Sequence, residues 1–240
     1  MPSGLVKSHF KSPPANSPTW QRSRTNVSYG PIQVETDICS LFFEIPDNMK
    51  PPVLLYYRLT NFYQNHRRYV KSLDTDQLKG KAVSNSTIKS GSCDPLRLNS
   101  DGKAYYPCGL IANSLFNDTF ESPILLNASS EPNETYTMTN KNIAWASDQK
   151  LYGKTAYTFD QVAPPPNWAA KYPNNYTADN PPPDLSQDQA FQVWMRTAGL
   201  PAFSKLALRN DNDMMKHGRY QVDIQSSSSL PHPFFSFETH

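Results

Sequence analysis

Alternating apolar residues before a proline-rich turn, and a second apolar run after it, place the strongest constraint on how this chain can fold. Residues 32–45 carry apolar side chains at alternate positions, as a half-buried β-strand requires. The alternating residues are Ile32, Val34, Leu41, Phe43 and Ile45. The stretch 46–52 contains three prolines and predicts a turn, and Val53–Tyr57, apolar on both faces, predicts an inner strand. We expect these two strands to pair with each other in antiparallel fashion.

Shorter apolar runs predict further strands along the chain. These runs are Pro123–Leu126, Ile143–Trp145, Phe203–Leu208 and the alternating Tyr220, Val222 and Ile224. With 22 Pro and only 9 Gly in 240 residues, the composition favours many short strands joined by ordered loops over a helical bundle. The fold class that we predict is therefore α+β, mainly an antiparallel β-sandwich with a few short helices and long Pro-rich loops.

We expect one β-rich domain, because all-β chains of this length commonly form a single domain. The polar residues 1–29 show no periodicity and predict an irregular extension. Residues 30–225 carry the strand patterns and form the predicted domain. Residues 226–240, which contain a run of serines and two prolines, predict an irregular tail.

Three short helices are predicted, in 61–70, 108–115 and 186–198. The first has Tyr63, His66 and Val70 on one face at helical spacing, and the second is equally consistent with a buried strand. The third begins with Ser-Gln-Asp-Gln, which has the spacing of a capping box, and it is followed by Gly and Pro residues that end a helix.

Two long loops separate these elements. Residues 79–101 contain scattered glycines and prolines and predict a loop. Residues 164–183 begin and end with a run of three prolines, whose backbone is pre-set in polyproline geometry. This segment can therefore be ordered without pairing in a sheet, and we expect it to run over the surface.

The segment 61–72 concentrates aromatic, amide and cationic side chains directly after the predicted inner strand. Such a segment can bury its rings while its polar ends bond to buried backbone groups or face a partner. The only local basic cluster consists of Arg67, Arg68 and Lys71 in this segment, with Arg58 just before it. Two interpretations stay open: a solvated face with weak ion pairs, or an electrostatic contact with an acidic partner.

Catalysis, metal binding and nucleic-acid binding are not expected. A formal net charge of +2 is too small, and the basic residues are too dispersed, for a nucleic-acid surface. The five histidines have no G-x-S-x-G or H-E-x-x-H companion. Asp74–Asp76 and Asn210–Asp213 lack the Gly and Glu spacing of an EF-hand, and the three cysteines form no C-x-x-C pair. We therefore expect no metal and no cofactor.

Six N-glycosylation sequons favour the secretory lumen or the cell exterior. Their asparagines are Asn26, Asn85, Asn117, Asn127, Asn133 and Asn175. No apolar run approaches the roughly 18 residues that cross a bilayer, and Met1–Val6 lacks the features of a signal peptide. The sequence thus looks secreted but shows no segment that would export it.

Five segments, in order along the chain, resemble the signature segments of one family. They are Asn61–Ser72, Pro107–Thr119, Ile143–Trp145, Val193–Ala198 and Gly218–Tyr220. The family is the cell-division-control-50 / ligand-effect-modulator family, the accessory β subunits of type IV P-type ATPases, which flip phospholipids. The resemblance extends from Cys39 to Ile224.

This resemblance implies the exoplasmic domain of a two-pass membrane protein, with one membrane helix before this region and one after it. The implied function is non-catalytic: the domain binds the ATPase subunit and supports its folding, its export from the endoplasmic reticulum and its transport cycle. It would contact membrane lipids only indirectly. The implied location is lumenal or extracellular, in the endoplasmic reticulum, Golgi, endosome or plasma membrane. The partner-binding residues that we expect are Asn61, Tyr63, His66, Arg67, Arg68 and Trp194.

The resemblance also implies a disulfide between Cys93 and Cys108, which would contribute about 3 kcal/mol in the chain-entropy picture. Family members pair the cysteine that matches Cys39 with one further upstream, which this sequence does not contain. Cys39 is therefore left over, and we expect part of the native disulfide framework to be missing. A glycan on Asn117, near the end of the second signature segment, should lie on the surface opposite the partner contact.

A function of another class is a secreted carbohydrate-binding or glycan-processing β-sandwich. In that case Trp20, Trp168 and Tyr176 would be exposed on one face as platforms for sugars. An enzyme of this class would also need two carboxylates that face each other there.

Overall fold

The computed structural model describes residues 10, 12–29, 32–127, 131–226 and 234–239. Their strands are β1 Thr19–Tyr29, β2 Ile32–Ile45, β3 Val53–Leu59, β4 Ala104–Tyr105, β5 Thr119–Phe120, β6 Ile124–Leu125, β7 Glu134–Thr135, β8 Val162–Ala163, β9 Phe203–Asn210, β10 Gly218–Ser226 and β11 Phe234–Thr239. Their α-helices are α1 Arg67–Lys71, α2 Thr75–Leu78, α3 Asn85–Ser90, α4 Leu110–Asn113, α5 Ala146–Gln149 and α6 Gln189–Met195, with one 3₁₀ turn at Pro166–Trp168. None of the helices in this part of the chain has the length and the apolar character needed to cross a bilayer.

The strands form two antiparallel sheets and one small parallel pair. The larger sheet has six strands in the order β1-β2-β10-β6-β7, with β5 also paired to β10. The second sheet has the order β11-β3-β9, and β4 pairs with β8 in parallel. The prediction of an α+β fold with mainly antiparallel strands and a few short helices is thus confirmed. The β-sandwich arrangement stays a prediction.

Strand β2 is the 14-residue strand that its alternating residues predict. It pairs with β1 on one side and with β10 on the other, where Leu41 lies opposite Val222 and Phe43 opposite Tyr220. The alternation on β10 is confirmed in the same way, because Tyr220 and Val222 are buried.

The predicted pairing of β2 with β3 is wrong. Strand β3 is indeed an inner strand, but its neighbours are β9 and β11. The turn between β2 and β3 carries the chain from one sheet to the other, and so does the connection between β9 and β10. The two connections pair with each other, because the backbone N–H groups of Met49 and Met215 each donate to the other residue's carbonyl, at 2.8 and 2.9 Å.

Two segments that we predicted to be irregular contain strands. Strand β1 occupies the end of 1–29, and β11 lies in 226–240. Strand β1 is almost entirely polar, so it has no apolar alternation to detect. It forms because its backbone pairs with β2 along its whole length, from Thr19 opposite Phe42 to Tyr29 opposite Ile32.

The predicted helices are confirmed in part. Helix α6 forms with Phe191, Trp194 and Met195 buried, but its N-cap is Asp188, whose carboxylate accepts the N–H of Phe191, so the predicted capping box is wrong. The predicted helix in 61–70 reduces to α1, which begins only at Arg67. The second predicted helix is α4, not a strand.

The remaining corrections concern loops and one predicted strand. The stretch 79–101 is not a continuous loop, since α3 lies in it. Ile143–Trp145 is not a strand. It is an irregular stretch that leads directly into α5. The Pro-rich segment 164–183 does not lie only on the surface, since Trp168, Tyr172 and Tyr176 within it are buried.

One hydrophobic core joins both antiparallel sheets and the helices. Its largest fully buried side chains include Trp194, Tyr106, Tyr220 and Phe191. The disulfide between Cys93 and Cys108 lies at this core, with its Cα atoms 5.6 Å apart and both residues buried. Cys39 is a free thiol on β2, and partial burial raises its pKa.

Helix α4 begins where the backbone passes very close to another segment. Gly109 precedes it with a φ of 98°, and a Cβ at this position would lie 2.1 Å from the carbonyl oxygen of Ser72. The hydroxyl of Ser72 also accepts the N–H of Leu110 at 2.9 Å. Only glycine can occupy this position without moving the backbone.

We expect Gly109→Ala to lower the free energy of unfolding by at least about 3 kcal/mol, because left-handed strain and a backbone collision add together. Gly102→Ala is the matched control, since Gly102 also has a positive φ, 76°, but nothing lies within 4 Å of its Cβ position. We expect this control to cost about 1 kcal/mol. Urea unfolding followed by tryptophan fluorescence measures both, and equal losses would contradict the packing described here.

Candidate partner-binding surface

The segment 61–72 is fixed to the protein by its inward side chains. The ring of Phe62 packs edge-on against Trp194 and Phe203, with centroid distances of 5.5 and 6.2 Å. Gln64 is fully buried, and its side-chain oxygen accepts the backbone N–H of Ala198 at 2.9 Å. The Gln64 amide nitrogen in turn donates to the hydroxyl of Tyr69 at 3.4 Å. A fully buried amide that bonds at both ends holds its backbone in one position.

The turn after α6 is joined to the same segment. The side-chain amide of Asn65 donates to the carbonyl of Gly199 at 3.0 Å, and the N–H of Phe62 donates to the carbonyl of Pro201 at 3.1 Å. Leu200 lies between these two contacts and is 70% exposed. Leu200 was not among the residues predicted from the sequence, although a large apolar residue in a turn between Gly and Pro could have indicated an exposed contact residue.

The outward side chains of the segment form an exposed surface with Leu200. Tyr63 is 60% exposed, and Asn61, His66 and Arg67 are exposed as well. We call Asn61, Tyr63, His66, Arg67, Arg68 and Leu200 the Tyr63 surface. The hydrogen bonds of Phe62, Gln64 and Asn65 hold the backbone of this surface. The exposed side chains of Tyr63 and Leu200 therefore start from a fixed backbone.

Trp194 does not belong to this surface. It is fully buried, and its indole N–H donates to the carbonyl of Ile111 at 2.8 Å. The prediction that Trp194 contacts a partner directly is therefore corrected: it is a core residue that supports Phe62 from beneath.

The basic cluster of the segment is only partly neutralised. Arg68 pairs with Asp94 at 3.1 Å, and Asp94 also pairs with Arg97. Arg67 and Lys71, like Arg58 on β3, form no ion pair with any residue that the structure describes. The surface around α1 therefore carries excess positive charge.

A second exposed aromatic lies near the end of α6. Trp145 is 65% exposed, and the guanidinium of Arg196 stands 3.8 Å from its ring centre. Arg196 also pairs with Asp148 at 3.0 Å. Trp145 lies in a run that was predicted to be a strand, and no local pattern in the sequence would have revealed its exposure.

The buried amine of Lys205 holds the C-terminal end of α6. Its Nζ donates to the carbonyls of Val193 at 2.9 Å, Trp194 at 3.3 Å and Arg196. The last carbonyls of a helix have no partner within the helix, and a cation is favourable there. Burial lowers the pKa of Lys205 to about 8. Lys205 therefore fixes the helix end from which the turn carrying Leu200 starts.

The six sequon asparagines lie in different environments. Asn26, Asn133 and Asn175 have exposed side chains, and Asn117 is half-buried beside β5. Asn85 is exposed, and its side-chain oxygen accepts the N–H of Ala104 at 3.2 Å. Glycosylation of these residues stays a prediction.

The side-chain nitrogen of Asn127, the remaining sequon asparagine, donates to the carbonyl of Pro132 at 2.8 Å.

The aromatic residues required for a carbohydrate-binding sandwich are not together on a surface. Trp20 is 44% exposed, but Trp168 and Tyr176 are buried. Trp168 donates to the carbonyl of Ala112 at 3.0 Å, and the hydroxyl of Tyr176 donates to the carbonyl of Tyr106 at 2.6 Å. Both are structural residues, so this alternative is not supported. Within the described residues, no three His, Cys, Asp or Glu side chains are placed to hold a metal ion.

One known protein family matches nearly the whole of this chain. The model of the LEM3 (ligand-effect modulator 3) / CDC50 family matches residues 13–235. The chain belongs to the CDC50/LEM3 family. The match confirms the resemblance of the five signature segments, one of which is the segment 61–72.

Curated relatives of this CDC50/LEM3 chain carry consistent names. The phospholipid-transporting ATPase accessory subunit CDC50 of Chaetomium thermophilum is 42% identical over 235 residues, which are 95% of this chain and 58% of the relative. The phospholipid-transporting ATPase accessory subunit CRF1 of Saccharomyces cerevisiae is 44% identical over 239 residues, 99% of this chain and 56% of the relative. Human cell cycle control protein 50B is 38% identical over 203 residues, 78% of this chain and 55% of the relative. The CDC50/LEM3 chain thus spans a little over half the length of these relatives.

We expect the contribution of Lys205 to stability to depend on pH. Its pKa of about 8 in the folded CDC50/LEM3 chain lies below the ordinary value of 10.5, so between these values the unfolded chain binds more protons. The wild type should therefore gain stability relative to Lys205→Met from about pH 8 to about pH 10, by up to about 1.4 kcal/mol per pH unit. Urea unfolding of both proteins across this range measures the difference, and a difference that stays constant would contradict the buried position of the amine.

Proposed function

We propose that this chain is the exoplasmic domain of the β subunit of a type IV P-type ATPase that flips phospholipids. The observation that carries the proposal is its membership of a family whose curated relatives are named accessory subunits of phospholipid-transporting ATPases. In this role the chain is non-catalytic. The chain binds the ATPase subunit and supports the folding of that subunit, its export from the endoplasmic reticulum and its transport cycle. The chain itself contacts membrane lipids only indirectly.

The Tyr63 surface is the contact with the ATPase subunit in this proposal. Exposed Tyr63 and Leu200 supply apolar anchors, and Arg67 supplies a cation without an ion pair among the described residues. Aromatic and arginine side chains dominate the energy of protein interfaces, and a surface that is rigid before binding loses less entropy on binding. An obligate partner of this kind normally buries more than about 2,000 Å², so the surface would be one part of a larger interface.

We place the domain on the lumenal or extracellular side of the endoplasmic reticulum, Golgi, endosome or plasma membrane. Six sequons and a disulfide at the core support this placement, because both modifications occur in the secretory pathway. The membrane helices of the two-pass protein would lie before and after this region. All six sequons are candidates for N-linked glycans.

We also propose that the two antiparallel sheets pack face to face as a sandwich. Tyr57 of β3 stacks on Phe116 with a centroid distance of 4.1 Å and on Phe120 of β5 at 6.0 Å. These contacts support the proposal because they link the three-stranded sheet to the six-stranded one.

The contact with the ATPase can be tested by mutation of the full-length protein. We expect Tyr63→Ala and Arg67→Glu to lower the amount of co-purified P-type ATPase by at least about tenfold, since each removes an interface anchor. Both residues are exposed, so unfolding should change by less than about 0.5 kcal/mol. The matched controls are Phe159→Ala and Lys89→Glu, at exposed positions outside the Tyr63 surface. Equal loss with the controls would argue against this surface.

The lumenal placement can be tested at Asn117. We expect peptide mapping of protein from a eukaryotic secretory host to find a glycan on this residue, directed away from the partner contact. An unmodified Asn117 in such protein would count against the placement.

A further inference from the structure

Trp145 differs from the other two tryptophans of residues 131–226, a stretch that the structure describes throughout. Trp168 and Trp194 are buried, and both donate their indole N–H groups to carbonyls of α4. Trp145 is 65% exposed, and its indole N–H donates to no described residue. A large ring with an unused polar group on the surface is typical of residues that contact a protein partner.

The ring of Trp145 is covered on one face and open on the other. The guanidinium of Arg196 lies 3.8 Å from the ring centre and is itself held by Asp148 at 3.0 Å. A cation stacked on an indole ring attracts it, and here the carboxylate fixes the position of the cation. Among the described residues, no other ring or cation lies against Trp145. The open face is therefore available to another molecule.

Helix α6 fixes the backbone on both sides of this stack. The side-chain oxygen of Gln189, the first residue of α6, accepts the N–H groups of Ile143 and Ala144 at 3.0 and 3.2 Å. At the other end of α6, the carbonyl of Arg196 accepts a hydrogen bond from Lys205. The Trp145 ring is thus held in place before any partner arrives, so it loses little entropy on binding.

The stack of Trp145 and Arg196 is close to the Tyr63 surface. Arg196 and Leu200 lie in the same connection between α6 and β9, and Leu200 is 70% exposed. Four residues of chain span at most about 14 Å. A standard interface buries about 800 Å² on each partner and is about 30 Å wide, so one partner can cover both positions.

The combined surface has a neutral end and a cationic end. Arg196 and Asp148 neutralise each other beside Trp145. Arg67 and Lys71, at the other end, form no ion pair with any residue that the structure describes. A complementary partner therefore carries apolar side chains at one end of its contact and acidic side chains at the other.

We propose that Trp145 is a second anchor for the ATPase subunit, contacted by the same exoplasmic segment of that subunit that covers Leu200. This segment places apolar side chains on the open face of the ring, and one of its carbonyl oxygens accepts the indole N–H. Acidic side chains of the same subunit lie over Arg67 and Lys71. Arg196 is a positioning residue, because it holds the ring from the covered face. This inference rests on the function proposed above.

The test measures the amount of P-type ATPase that co-purifies with variants of the full-length protein. We expect Trp145→Ala to lower this amount by at least about tenfold. Trp145→Phe keeps a ring on Arg196 but has no N–H group, so we expect a loss of about threefold. Met214→Ala is the matched control, since Met214 is 47% exposed beyond the other end of β9, and it should bind as the wild type does.

Three results would overturn the inference, and they separate it from the proposed function. If Tyr63→Ala loses the ATPase while Trp145→Ala retains it, the second anchor is wrong and the proposed function stands. If Trp145→Ala loses the ATPase while Trp145→Phe binds as the wild type does, the ring only supports Arg196. If both Tyr63→Ala and Trp145→Ala retain the ATPase, the proposed contact fails and the inference fails with it.

Salt distinguishes the two ends of the surface. Because the contact of Trp145 carries no net charge, we expect the loss caused by Trp145→Ala to be the same at about 0.1 M and about 1 M NaCl. The loss caused by Arg67→Glu should shrink at the higher concentration, since salt screens exposed charges. A Trp145→Ala loss that shrinks equally would contradict an apolar contact at this residue.

Discussion

Two buried indole N–H groups hold the short helix α4, and much of the structure is arranged around that helix. Trp194 of α6 donates to the carbonyl of Ile111, and Trp168 of the Pro-rich segment donates to the carbonyl of Ala112. A helix of four residues is not stable alone, and its terminal carbonyls need partners. At the start of the helix, the hydroxyl of Ser72 accepts the N–H of Leu110. Helix α4 is therefore the point at which α6, the Pro-rich segment and the end of the segment 61–72 meet.

This arrangement explains how a surface segment becomes rigid. The segment 61–72 is tied to α4 by Ser72 at its end and packs on Trp194 through Phe62 at its beginning. Gln64 and Lys205 then fix the turn after α6, on which Leu200 lies. The result is a preformed, apolar and cationic surface on a buried aromatic base. Such a surface is suited to recognition of a protein partner.

The sequence predicted the elements with strong periodicity and missed those that depend on distant contacts. Strands β2 and β10 and helix α6 follow from their own apolar patterns. The pairing of β3 with β9 and β11 does not, because a local pattern specifies a strand but not its neighbours. Strand β1 was missed since its side chains are polar. Within the candidate surface, Tyr63 and Trp194 looked equally suited to a partner, and only the tertiary structure shows one exposed and the other buried. The disulfide of Cys93 with Cys108 agrees with the family resemblance, which local patterns alone do not supply.

The central proposal is that the outward side of the segment 61–72 lies against a P-type ATPase. Replacement of Tyr63 in the full-length protein by a photoreactive phenylalanine analogue, followed by irradiation of intact membranes, tests it most directly. The account predicts a covalent product with a P-type ATPase from position 63 and none from the same analogue at Phe159, which is exposed outside this surface. A product from position 159 and none from position 63 would contradict it.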